Sequence, residues 1–98
     1  MRRAARVDAN QAEIIAALRT AGASVHIIEV PVDLLVGYKG KTVLIEIKNP
    51  KSRYGKQGLN ENQAEFLNTW DGGPVAMVDS VEAALQVLRI LHPVELVQ

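Results

Sequence analysis

Asp33, Glu46 and Lys48 stand at the far ends of two runs of apolar and β-branched residues, separated by Gly37-Tyr38-Lys39-Gly40-Lys41. Two such runs around a glycine-bearing turn spell a β-hairpin. The second run alternates: Val43, Ile45 and Ile47 point one way, and Leu44, Glu46 and Lys48 the other. With Lys39-Gly40 as the loop, Tyr38 faces Lys41, Gly37 faces Thr42, and Asp33 lands directly opposite Glu46. A loop running from Tyr38 to Lys41 keeps that register, whereas a loop of odd length makes the pair diagonal. Directly opposed residues have Cβ atoms about 5 Å apart, and like charges there repel. A shared proton, the Lys48 ammonium or a divalent cation would each offset the repulsion.

Two carboxylates converging beside a lysine suit metal-assisted hydrolysis of a phosphodiester. A hard cation takes oxygen ligands and keeps positions open for water and phosphate. When bound, it polarises the phosphoryl oxygen and acidifies water. A lysine beside it stabilises developing negative charge or orients the attacking water.

Asp33 followed by Glu46-Ile47-Lys48 at the end of the next strand resembles the PD-(D/E)xK nuclease signature. The element order and small size are similar to the VRR-Nuc group of phage and repair nucleases, which includes stand-alone Holliday-junction-resolvase-like domains. The resemblance spans roughly residues 8–88, with Pro31-Val32-Asp33 standing where the family has an adjacent Pro-Asp. It implies a restriction-endonuclease-like α/β core, Mg²⁺ or Mn²⁺ held by Asp33, Glu46 and the main-chain carbonyl of Ile47, and Lys48 as the catalytic lysine. It also implies that Glu13, on the first helix, and Gln63, on the second, stand beside the metal.

Both of these last residues have a second reading. If Asn10 caps the first helix, Glu13 is the distal partner of a capping box, and Asn60-Glu61-Asn62-Gln63 fits the same motif. For Glu13 the two roles remain open. Gln63, near a helix N-terminus, also suits holding a phosphate or water, and the resemblance favours that role.

The whole chain of 98 residues makes one domain, residues 1–98, and 48% hydrophobic residues provide for a core. The absence of cysteine excludes disulfide and thiolate chemistry and agrees with a reducing compartment. No apolar run nears the roughly 20 residues of a membrane span. Arg2, Arg3 and Arg6 are not followed by an apolar run, so a secretory leader is not expected. The expected location is the cytoplasm of a bacterial or phage-infected cell.

The net charge is zero, but its distribution is uneven. Arg2, Arg3 and Arg6 open the chain without an acid, and Lys39, Lys41, Lys48, Lys51, Arg53 and Lys56 surround Glu46 alone. The remainder, residues 57–98, is acidic apart from Arg89. This asymmetry predicts one basic surface around the hairpin, suited to a phosphate backbone. Tyr54, between Arg53 and Lys56 in a glycine-containing loop over 49–58, is placed to stack on a base or sugar. The alternative is an ordinary solvated connection.

The elements around the hairpin follow from periodicity. A helix over 8–22 carries Ile14, Ile15, Leu18 and Ala21 on one face, with Gly22 as its stop. A strand over 24–30 precedes the hairpin; His26 and Glu29 read as surface positions on it. A helix over 60–71 directs Phe66, Leu67 and Trp70 to the core, with Trp70 a core aromatic, and ends at Gly72-Gly73. Residues 75–78 read as a central, parallel strand buried on both faces. Ser80 caps a last helix over 81–91, with Leu85, Leu88 and Leu91 inward and His92 at its C-terminal cap. The apolar tail 93–98 suits packing on the sheet or a homodimer contact. The resulting order is α-β-β-β-α-β-α, a mixed sheet with helices on its faces.

These readings converge on a metal-dependent DNA endonuclease acting in replication, recombination or repair. Structure-selective cutting of branched DNA is favoured, since a chain this small has little room for a sequence-reading module. A homodimer would present two sites to one branched substrate. The competing readings are a nucleic-acid-binding module of the same fold without cleavage, and an interaction protein for which the basic stretch is incidental.

Overall fold

A computed structural model of the chain describes residues 10–48 and 61–93. The elements are α1 (Gln11–Thr20), β1 (Ser24–Ile27), β2 (Leu34–Tyr38), β3 (Lys41–Ile47), α2 (Glu61–Thr69), β4 (Val75–Val78) and α3 (Val81–Leu91). This is the α-β-β-β-α-β-α order that the periodicity predicts. Among these residues no helix is long and apolar enough to cross a membrane.

The hairpin organises the sheet. Tyr38 pairs with Lys41, Gly37 with Thr42 and Leu34 with Ile45, the register expected from a Lys39-Gly40 loop. Both loop residues have positive φ, 51° and 82°, as the type I′ turn of a tight hairpin requires. Outside the hairpin, β1 adds antiparallel to β2 and β4 adds parallel to β3, so the strand order is β1-β2-β3-β4.

Period-two alternation sends Val25, Leu34, Val36, Val43, Ile45, Ile47 and Val78 to one face. There they meet Ile14 and Leu18 of α1 and Ala84 and Leu88 of α3. Each fully buried aliphatic side chain contributes on the order of 1.5–3 kcal/mol. The α1 stop is built as predicted. Gly22, at φ 104°, donates its N–H to Arg19 O, and Ala23 donates to Leu18 O, the paired bonds of a Schellman ending. Ser80 caps α3 by accepting the Ala83 N–H at 3.1 Å, and His92 closes the helix by donating to Leu88 O.

Five expectations need correction. The helix expected over 8–22 is Gln11–Thr20, and Ala21, assigned to its apolar face, is an exposed C-terminal cap residue. The strand over 24–30 ends at Ile27, because the chain turns at Glu29, whose φ is 70°. Helix α2 ends at Thr69 rather than residue 71, and none of its residues is buried; Phe66 and Leu67 are half-buried. Trp70 is not a core aromatic: it lies past the helix end, is 44% exposed, donates from Nε1 to Gly73 O at 2.8 Å and rests on Phe66. Strand β4 is parallel as predicted but forms an edge of the sheet among the described residues, with Met77 exposed. Short apolar runs look alike whether one or both faces are covered, so periodicity alone does not separate edge from centre.

Candidate metal centre at the end of the hairpin

The hairpin register brings Asp33 and Glu46 to the end of the sheet remote from the turn. Asp33 is the residue before β2. Its carbonyl accepts the N–H groups of Ile28 (2.8 Å) and Glu29 (3.1 Å), which anchors the residue to the loop behind it. Its carboxylate then reaches across to β3, where Oδ2 accepts the Ile47 N–H at 2.7 Å. A carboxylate bonded to a main-chain donor is held by a charge-assisted contact, stronger than a neutral one. Asp33 is therefore fixed from both its main chain and its side chain.

Glu46 follows the alternation onto the face opposite Val43, Ile45 and Ile47, yet it is only 6% exposed and is the one buried charged residue among those described. Lys48, two residues on and on the same face, places Nζ 3.4 Å from Glu46 Oε2. The other oxygen, Oε1, is buried and has no hydrogen-bond partner among the described residues. An ionised carboxylate oxygen out of water and unpaired is costly. Lys48 thus offsets the carboxylate charge from the Oε2 side. A hard divalent cation takes carboxylate oxygens, so Glu46 Oε1 is of the donor type that Mg²⁺ or Mn²⁺ takes, whereas Asp33 Oδ2 is engaged with the Ile47 N–H.

The main chain of Lys48 is held as tightly as its neighbours. Its N–H donates to Val78 O at 2.8 Å, continuing the parallel ladder with β4. Its carbonyl accepts from Asn10 Nδ2 at 3.4 Å, and the same amide donates to Asp79 O at 3.1 Å. Asn10 occupies the N-cap of α1 but makes no side-chain cap bond. The sequence reading gave Asn10 no place at the site. A capping residue and a strand-clasping residue have the same local signature, and only the tertiary contact distinguishes them.

Half of the capping box proposed for Glu13 is missing, since the Asn10 side chain accepts no first-turn N–H. Glu13 itself is exposed in the first turn of α1. Among the described residues no three His, Cys, Asp or Glu side chains are grouped as metal ligands, so Glu13 does not form such a group with Asp33 and Glu46. Gln63 is half-buried in the first turn of α2, with its Oε1 buried. Its capping partner Asn60 lies outside the described residues.

The basic residues divide. Lys39 and Lys41 are exposed at the hairpin turn, with Lys39 Nζ 5.4 Å from the centre of the Tyr38 ring. Five strand steps from Lys41 to Glu46 span about 17 Å, so the turn and the carboxylates occupy opposite ends of β3. A single basic cluster beside the acids is not formed by Lys39 and Lys41. Arg2, Arg3, Arg6, Lys51, Arg53, Tyr54 and Lys56 lie outside the described residues, as does the end of the apolar tail. His26 and Glu29 are exposed, as expected of surface positions.

No family model, curated protein or solved structure matches this chain.

Proposed function

We propose that the protein is a metal-dependent DNA endonuclease of the kind its Asp33…Glu46-Ile47-Lys48 pattern resembles. The observation that carries this reading is the buried Oε1 of Glu46, a carboxylate oxygen with no hydrogen-bond partner among the described residues, one strand away from an anchored Asp33. A buried carboxylate oxygen without a partner is costly, and a bound cation would offset that cost.

Asp33, Glu46 and the Ile47 carbonyl would hold Mg²⁺ or Mn²⁺, which when bound acidifies water and neutralises phosphoryl charge. Lys48 orients the attacking water and stabilises the charged transition state, its ammonium steadied by Glu46 Oε2. Gln63 and Glu13 support phosphate or water at the edge of the site. Lys39 and Lys41 engage the backbone about 17 Å away, a distance that duplex or branched DNA easily spans. Arg2, Arg3, Arg6, Lys51, Arg53, Tyr54 and Lys56 supply the remaining contacts. Structure-selective cutting of branched DNA by a homodimer, within the cytoplasm of a bacterial or phage-infected cell, is the form of the activity we favour.

The test is cleavage of labelled four-way junction, flap, linear duplex and single strand, each with Mg²⁺, Mn²⁺ or EDTA, beside Asp33→Asn. Metal-dependent cutting that the variant loses supports the nuclease, and the preferred substrate assigns its class. DNA binding without cutting of any substrate replaces it with a binding module of the same fold. Neither binding nor cutting removes nucleic acid from the account altogether.

A further inference from the structure

We infer that Asn10 is the positioning residue of this site, acting through the main chain of Lys48; the inference rests on the nuclease reading for its kinetic consequence but not for its structural one. Asn10 stands where a helix cap belongs, and a side-chain acceptor would ordinarily serve the free N–H groups of the first turn. Here no such bond forms. The amide donates instead to Lys48 O and Asp79 O, the carbonyls just beyond the ends of β3 and β4. Its Oδ1 is buried with no hydrogen-bond partner among the described residues.

An amide with its acceptor buried and unpaired, in a position whose usual role it has given up, is explained by its two donors. Those donors tie α1 to both parallel strands at the residue that carries the ammonium. Lys48 is already held on its N–H side by Val78 O. The Asn10 clasp secures its carbonyl side, so the peptide units flanking its Cα are fixed and Nζ swings from a stationary base toward Glu46 Oε2. Transition-state stabilisation depends on such fixed placement, and displacement of about 1 Å can cost on the order of 10²-fold in rate.

The test compares wild type, Asn10→Asp and Asn10→Gln. Asparagine and aspartate have the same shape, but aspartate has no donor; glutamine keeps the donor on a longer arm. Single-turnover cleavage under Mg²⁺ is read against DNA concentration, and amide hydrogen exchange is read at Lys48 and, as a distant control, at Val36. The expected result for Asn10→Asp is a maximal rate lowered on the order of 10–100-fold, with half-saturating DNA within about twofold of wild type. Exchange at Lys48 should quicken by about tenfold with Val36 unchanged, and Asn10→Gln should recover part of both losses. Cleavage by Asn10→Asp within about twofold of wild type overturns the inference, as does a uniform loss of protection that includes Val36. If wild type itself cuts nothing, the nuclease reading falls, and exchange at Lys48 alone decides whether Asn10 holds that residue. Should Asn10→Asp fail to fold, Asn10→Ala, which removes the donor without adding a charge, is read by the same two criteria with the same overturning results.

Discussion

The carboxylate of Asp33 accepts the main-chain N–H of Ile47 at 2.7 Å, so the first acid of the site is bonded to the strand that carries the second. The ladder proper ends one step earlier, at Leu34 and Ile45. A side chain thus continues the pairing where the backbone of β2 has already turned away toward Ile28 and Glu29. The contact turns a pair of like charges, which would splay the hairpin end, into a closed one.

Asp33→Ala should therefore destabilise the fold by about 1.5–3 kcal/mol, because the Ile47 N–H loses a charged acceptor. Asp33→Asn retains an acceptor oxygen and should cost under about 1 kcal/mol. Urea denaturation separates the two, and both variants should lose metal-dependent cleavage. Equal stability of Asp33→Ala and wild type would deny the contact its structural role.

Glu46→Gln removes a buried charge that Lys48 faces at Oε2. In EDTA the variant should be less stable than wild type, because Lys48 loses its charged partner, but by less than the roughly 3–5 kcal/mol of a fully buried pair, since the lysine side chain is 22% exposed. Wild type should gain about 1.4 kcal/mol of stability at Mg²⁺ tenfold above its dissociation constant, by mass action. Thermal melts across a Mg²⁺ series should show that gain vanish in Glu46→Gln. A gain of equal size in both proteins would place the cation elsewhere.

Lys39 sits in the hairpin turn with a φ of 51°, a left-handed conformation that costs a lysine roughly 1–2 kcal/mol. Lys39→Gly should recover part of that cost and raise the melting temperature by several degrees, for a domain of this size. If Lys39 also neutralises a DNA phosphate, the same variant should lower the salt dependence of DNA binding by about one unit of slope. A more stable protein with an unchanged slope would confine Lys39 to a structural role.

Gly72 lies against the indole of Trp70. A Cβ built there would overlap the six-membered ring of Trp70. Gly72→Ala must therefore displace the ring and break its 2.8 Å bond to Gly73 O. Because Trp70 is the single tryptophan of the chain, its fluorescence reports the event directly. The emission should shift in the folded variant, at a stability cost of about 1–3 kcal/mol; an unchanged spectrum would contradict the contact.

What the amino-acid order determined by itself was local. The Lys39-Gly40 turn set the hairpin register through its own backbone preferences, and with it the approach of Asp33 to Glu46. Gly22 and Ser80 ended and began helices through bonds to residues within five positions. Period-two alternation assigned Val43, Ile45 and Ile47 to the core. Each of these depends only on neighbours along the chain.

The tertiary structure alone decided the rest. Trp70 shared a stripe with Phe66 and Leu67 yet ended exposed, because α2 stops before it and the ring turned to Gly73. The 75–78 strand had the composition of a buried centre but became an edge, since no described strand lies beyond it. Asn10 could cap a helix or clasp two strands, and its partners are 38 and 69 residues away. A donor takes whichever acceptor the fold presents, so roles that rest on such distant partners are settled only when the sheet has formed.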